Sequence, residues 1–255
     1  MNKLFLISKF TAKEVLKSKI LYNILFLGII LFCVSYIAFQ FTYGVPHRIA
    51  LNFGLSAVNI SGLIISLFFG ANLVRSEIEN RTLYMVLSRD VKRWQFLLGK
   101  VLGLFLVVML NVLILSSLSL GIFIVYGGEL SWIILWQVGL IFCVHLIVML
   151  ISILLSLVTN VVLNILLTVF IYFCGVAIYE VQTTTMVQAR PGLLKLIKAY
   201  DYFLPGFYTF DIKDNVLYNL PVEVSTLFAK VGYGAAFIIL LSFISVRIFN
   251  RKELT

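Results

Sequence analysis

The chain has 255 residues, 62% of them hydrophobic and 12% charged, with a mean hydropathy of +1.07. Soluble domains carry about a quarter charged residues, so a water-soluble globule of this length is excluded. The net charge of +9 suits nucleic acid in the abstract, but the placement of the charges along the chain removes that reading.

Residues 2–17 set Leu4, Ile7 and Phe10 among Lys3, Lys9 and Lys13. This pattern predicts a helix lying in the membrane interface, with its lysines toward lipid phosphates. Six apolar runs follow, each near the roughly 20 residues needed to cross a bilayer. They are Ile20–Phe41, Ser56–Val74, Phe96–Tyr126, Trp132–Leu157, Val161–Tyr179 and Lys230–Phe249. The first is too long for the core of a signal peptide and no small-residue cleavage site follows it, so it reads as an uncleaved span. The expected architecture is all-α and polytopic, a single membrane domain over 1–255.

The loops set its orientation. Fourteen of the 20 basic residues lie before the first span, between the second and third, or after the sixth, counting Lys100 and Arg247 at the adjoining span ends. The remaining six are balanced by acids on the other face. Under the positive-inside rule the basic face is cytoplasmic, which puts both termini inside a cytoplasmic (inner) membrane. The excess charge is thus a topology signal, and no nucleic-acid partner is expected.

The outer loop Thr42–Leu55 contains Pro46, His47 and Arg48. In the second span Ser56, Asn59, Gly62, Ser66 and Gly70 recur at three- and four-residue steps, on one helix face. Such a stripe permits close helix packing or lines a polar path. On the fifth span Asn164, Thr168, Tyr172 and Tyr179 share a face in the same way. His145, mid-way along the fourth span, is an intramembrane ionisable group. A hydrogen bond to a neighbouring helix is the first expectation for it and a catalytic role the second. Residues 180–229 break the pattern into two short amphipathic stretches, Gly192–Leu204 and Pro221–Ala229, an external broken pair separated by Pro205-Gly206 and Asp211–Asp214. Cys33, Cys143 and Cys174 fall within spans without metal spacing and read as small apolar residues. No metal site and no catalytic residue is expected; the His-Glu-x-x-His and Gly-x-Ser-x-Gly patterns are absent.

The charged segment between the second and third spans is the most informative. Ser76 and Glu79 form a capping box, Glu77 and Glu79 suit the positive helix end, and Ile78, Thr82, Leu83, Met85, Val86 and Leu87 supply an apolar stripe. A short helix over 76–87, parallel to the membrane, is predicted. The series Glu77-x-Glu79-x-x-Thr82-Leu83-x-x-x-Leu87-Ser88, then Arg93 and Gly99-Lys100, resembles the intracellular loop of ABC-2 type transporter permeases. It departs from that pattern at Arg81, where Gly is usual, at Val86, and at Asp90, where Pro is common. Tyr202-Phe-Leu-Pro205-Gly206 resembles the Y-x-x-P element of the same family's outer loop, and the six-span plan agrees with it over nearly the whole chain. The closest flavour is that of single-domain permeases of gliding-motility and nitrous-oxide-reductase-maturation systems.

The resemblance implies a coupling helix through which Ser76, Glu77, Glu79, Arg81, Thr82, Leu83, Leu87 and Arg93 engage a separate ATPase. Gly99 and Gly103 would form the close-packed pivot beside it. It implies a translocation path along Asn59, Ser66, Asn164, Thr168 and Tyr172, and an external gate at Tyr202, Pro205 and Gly206. The implied partners are two ABC ATP-binding subunits, a second permease protomer (an identical copy or a paralogue) and the lipid bilayer, with an extracytoplasmic partner left open. ATP and Mg belong to the partner. This chain lacks a P-loop, since Val101 follows Gly99-Lys100 and Trp94 stands where its first glycine belongs, so no enzyme activity of its own is expected. The expected function is ATP-driven export. A non-transporting membrane scaffold for an ATPase-driven assembly is the alternative, and an intramembrane enzyme using His145 is a third reading.

Overall fold

A computed structural model of the chain describes residues 3–17, 46–73, 91–184, 204–218 and 220–251, with positions 22, 26–30, 33, 34, 36, 37, 77, 187, 192, 195 and 197 between them. The described residues contain helices and turns and no strand. Helix α1 is Lys3–Lys17, α2 Pro46–Asn72, α3 Arg93–Val125, α4 Trp132–Ser156 and α5 Val161–Thr183. A 3₁₀ turn, Phe207–Phe210, and a short helix α6, Lys213–Leu217, lead into α7, Val224–Arg251. Helices α2, α3, α4, α5 and α7 are each long and apolar enough to cross a membrane; the chain is an all-helical membrane protein. At the expected first span, Ile20–Phe41, the described positions are helical, and the other positions of that span lie outside the described residues.

Local chemistry sets the helix ends. Ser131 caps α4 by accepting from the Ile133 amide, and Asn160 caps α5 by accepting from the Leu163 amide at 2.8 Å. The Gln95 side chain accepts from the Lys92 amide at the head of α3. The turn between α3 and α4 contains Gly127 at φ 81°, a left-handed conformation that favours glycine.

Two boundaries differ from those expected. Helix α2 begins at Pro46, ten residues before Ser56, so most of the expected outer loop Thr42–Leu55 is helix. Pro46 has its φ pre-set for a first helical turn, and Ala50, Leu51, Leu55 and Val58 bury a continuous stripe behind it. His47 and Arg48 are accommodated at the helix head, against Phe123 and over the Tyr218 ring. Likewise Pro221–Ala229 is no separate amphipathic piece. Its residues from Val224 onward are the first turns of α7. Lys230, taken as the start of the last span, lies half-buried well inside α7, as a lysine whose long stem packs along apolar surface can.

The long helices alternate in direction. The start of α2 meets the end of α3 through His47 and Phe123, and the start of α3 meets the end of α7 where Phe96 stacks on Phe249. One end of the bundle therefore holds α1 and the other holds the segment 204–218. In a membrane, lipid competes equally for apolar side chains, so helices associate through close packing and hydrogen bonds. The polar stripe of α2 serves this purpose. A Cβ on Gly62 would stand 2.6 Å from the His145 ring, and one on Gly70 2.8 Å from the Ser152 Cβ. At those close approaches His145 Nε2 reaches the Asn59 carbonyl (2.9 Å) and Ser152 Oγ donates to the Leu67 carbonyl (3.1 Å). Asn111 of α3 donates to Ser61 of α2 on the other flank.

Candidate functional site: a polar cavity at the end opposite α1

The segment 204–218 folds back over the bundle. Gly175 of α5 admits it, since a Cβ there would meet the Phe207 ring and the Pro205 carbonyl at 2.5 and 2.6 Å. The Gly206 amide donates to the Tyr233 hydroxyl of α7 (3.1 Å), and Phe207 and Phe210 pack on Tyr172 and Tyr233. The Ile212 amide donates to Gln137 Oε1 of α4 (3.0 Å), and Lys213 Nζ donates to Ser56 Oγ of α2 (2.8 Å). Four long helices thus fix this segment.

Beneath it lies a cavity of about 620 Å³, walled by α2, α4, α5, the 3₁₀ turn and α6. Its inner part combines apolar Leu55, Ile141 and Val144 with the polar Ser56, Asn59, Gln137 and Tyr172. Asn59 Nδ2 donates to the Tyr172 hydroxyl across 3.3 Å. Toward the mouth stand Tyr179 and Tyr208, stacked with centroids 5.5 Å apart, and the exposed carboxylates Glu180, Asp211 and Asp214. Burial pushes the Lys213 ammonium below the ordinary lysine value, and the negative charges of Asp211 and Asp214 oppose that shift.

The expected path residues divide. Asn59 and Tyr172 meet at the cavity. Asn164 and Thr168 do not reach it and are fully buried in the seam between α4 and α5. There Asn164 Nδ2 donates to the Ser152 carbonyl (2.9 Å), and Thr168 Oγ1 donates to the Asn164 carbonyl (2.8 Å). Ser66 is also buried away from the cavity, with no partner for its hydroxyl among the described residues. His145 is wholly buried. A carbonyl only accepts, so its Nε2 must carry the hydrogen it shares with Asn59. Of the expected gate, Pro205 and Gly206 are buried in the folded-back segment, while Tyr202 lies outside the described residues. Of the coupling residues, Ser76, Glu79, Arg81, Thr82, Leu83 and Leu87 also lie outside them, as does most of the helix expected over 76–87. Arg93 donates to the Asn250 carbonyl near the end of α7.

Glu77 is described, and it is not a solvated loop acid. Its carboxylate pairs with Lys100 Nζ, the side chains being 15% and 10% exposed, and Glu14 of α1 approaches the same ammonium at 3.5 Å. Gly99 and Gly103 seat α1 beside this ion pair; a Cβ on Gly103 would lie 2.6 Å from Thr11 Cβ. Helix α1 buries Ser8, Thr11, Ala12 and Val15 on α3 and exposes Phe5, Lys9, Phe10 and Lys13. The small-residue pair is a socket for α1.

Gln137 and Lys213 carry no role in the sequence analysis, and Lys100 enters it only in the charge balance and as part of the Gly99-Lys100 step. A neutral amide in the apolar run Trp132–Leu157 was the available signal for Gln137, and a lysine just inside a predicted span was the signal for Lys100. Among the described residues no group of histidine, cysteine and acid side chains has a metal-binding arrangement. Set against known proteins, the chain matches no family model and no curated sequence.

Proposed function

We propose that the chain is the permease subunit of an ABC-type transporter, moving a substrate outward across the cytoplasmic membrane while a separate subunit hydrolyses ATP. The observation that carries this reading is the linkage of α2. Its leading half, through Ser56 and Asn59, walls the cavity. Just beyond its other end, Glu77 binds Lys100 of α3 under α1. A force applied to the charged segment 75–93 from the cytoplasm would therefore move a rigid helix whose far end lines a polar cavity. Stiff helices transmit such displacement because packed interfaces switch between discrete arrangements rather than deforming continuously.

In this proposal both termini are cytoplasmic, the cavity faces outward, and a second protomer completes the path. A non-transporting membrane scaffold is the second reading. It is favoured by the use of Asn164 for a bond to α4 and of Thr168 for one back to Asn164, which takes both groups of α5 out of any polar path from the cavity to the α1 end.

Affinity purification of the tagged chain from its native membranes tests the common part of both readings. A P-loop ATPase in equimolar amount is the expected result, and recovery without one contradicts it. Reconstitution of that complex in liposomes then separates them, since ATP-dependent solute movement is expected of a permease alone. Glu79→Lys should lower ATP-driven movement at least tenfold while leaving membrane insertion unchanged.

A further inference from the structure

The inner part of the cavity holds several hydrogen-bond donors. Gln137 Oε1 is occupied by the Ile212 amide, so its amide hydrogens remain. The Tyr172 oxygen accepts from Asn59 and the Ser56 oxygen accepts from Lys213, which leaves each hydroxyl its own hydrogen to donate. Lys213 adds an ammonium with three donors, one of which goes to Ser56. An anionic group is the natural complement of this set, because charge-assisted bonds from several fixed donors are the strong ones. A bare anion is opposed by the mouth, however, where Glu180, Asp211 and Asp214 are exposed beside the stacked Tyr179 and Tyr208. Carboxylates flanking tyrosine faces suit a cation instead.

A single ligand answers both ends. We propose that this cavity binds a zwitterion, with its phosphodiester or carboxylate on Lys213, Ser56 and Tyr172 and its ammonium among Glu180, Asp214 and the tyrosine pair. The charge order, anion inward and ammonium outward, follows from the half-buried Lys213 and the exposed acids. Apolar Leu55, Ile141 and Val144 beside the donors leave room for a short apolar body. The same chemistry is offered by a lipid headgroup and by a free solute. This inference names the ligand class of the cavity invoked in the transport proposal and rests on that reading for its purpose. Its test uses neither ATP nor an ATPase, so the two fail separately.

The experiment is calorimetric titration of the chain in phosphatidylglycerol nanodiscs with glycerophosphoethanolamine, alongside dimethyl phosphate and ethanolamine as the separate halves. The zwitterion should bind about tenfold more tightly than either half. Lys213→Gln should weaken it about tenfold, the loss expected for one charge-assisted hydrogen bond, and Lys213→Arg should restore most of it. Glu180→Gln, at an exposed position that leaves the fold alone, should weaken it several-fold. Weaker apparent binding in nanodiscs containing phosphatidylethanolamine supports the lipid as the source. Undiminished binding there supports a free solute. The proposal is overturned if either half binds as tightly as the whole, if none of the three probes binds, or if Lys213→Gln and Glu180→Gln both keep the unmodified affinity.

Discussion

His145 and Gly62 show how a single position sets helix spacing in this protein. The imidazole reaches the Asn59 carbonyl because no side chain stands at position 62. Gly62→Ala would place a methyl group 2.6 Å from the ring, and overpacking of this kind costs about 2 kcal/mol. The melting temperature in detergent should fall accordingly. Gly121→Ala, with nothing within 4 Å, should be neutral or slightly stabilising; equal losses in the two variants would contradict the packing account. Lys213 makes a pH-dependent prediction. Burial holds its pKa below the ordinary 10.5, against the attraction of Asp211 and Asp214. The folded protein therefore binds this proton less tightly than the unfolded chain. Stability should rise with pH through the window between the lowered value and 10.5, with the penalty complete below that window and absent above it. Lys213→Met should lack that rise, and parallel melting curves for the two proteins would refute the assignment. His145 was legible in the sequence because an ionisable group within a span stands out. Gln137 was not, because a neutral amide barely lowers the hydropathy of the run around it. Its role depends on the Ile212 amide, 75 residues away in sequence.

At the scale of elements, the apolar runs from the third span to the fifth predicted α3, α4 and α5 within a few residues. Length and hydropathy are local properties, and the short loops left little freedom. The errors fell at Pro46, read as part of a loop although it starts α2, and at Lys230, taken as the start of the last span although α7 already begins at Val224. The docking of α1 was half legible. Its pattern of lysines and apolar residues predicted a helix, which is present over Lys3–Lys17, but the socket formed by Gly99 and Gly103 required knowing which helix comes near. The ion pair beneath α1 carries the next prediction. With both side chains largely buried, Glu77→Gln leaves Lys100 without its closest charge partner and should cost about 3 kcal/mol, as for other buried pairs broken from one side. The double variant Glu77→Gln/Lys100→Met should recover much of that loss, because no lone buried charge remains. Additive losses in a double-mutant cycle would show that the two groups do not interact. Charge reversal at Glu77 is accordingly a poor probe of ATPase coupling, since it also breaks an internal tie; Glu79 is the cleaner choice.

For the whole molecule, the alternating helix directions put α1 and Glu77 at one end and the cavity with segment 204–218 at the other. The proposed function takes the α1 end as cytoplasmic, on the balance of basic residues in the loops. Every part of the proposed function depends on that assignment, because an ATPase reaches only the cytoplasmic face and a zwitterion entering or leaving the cavity does so at the opposite one. The most direct measurement is cysteine accessibility in whole cells, starting from a chain with Cys33, Cys143 and Cys174 replaced by alanine. A membrane-impermeant maleimide should label Asp214→Cys in intact cells and label Ser88→Cys only after permeabilisation. Labelling of Ser88→Cys in intact cells, or of both positions from the same side, would contradict the account.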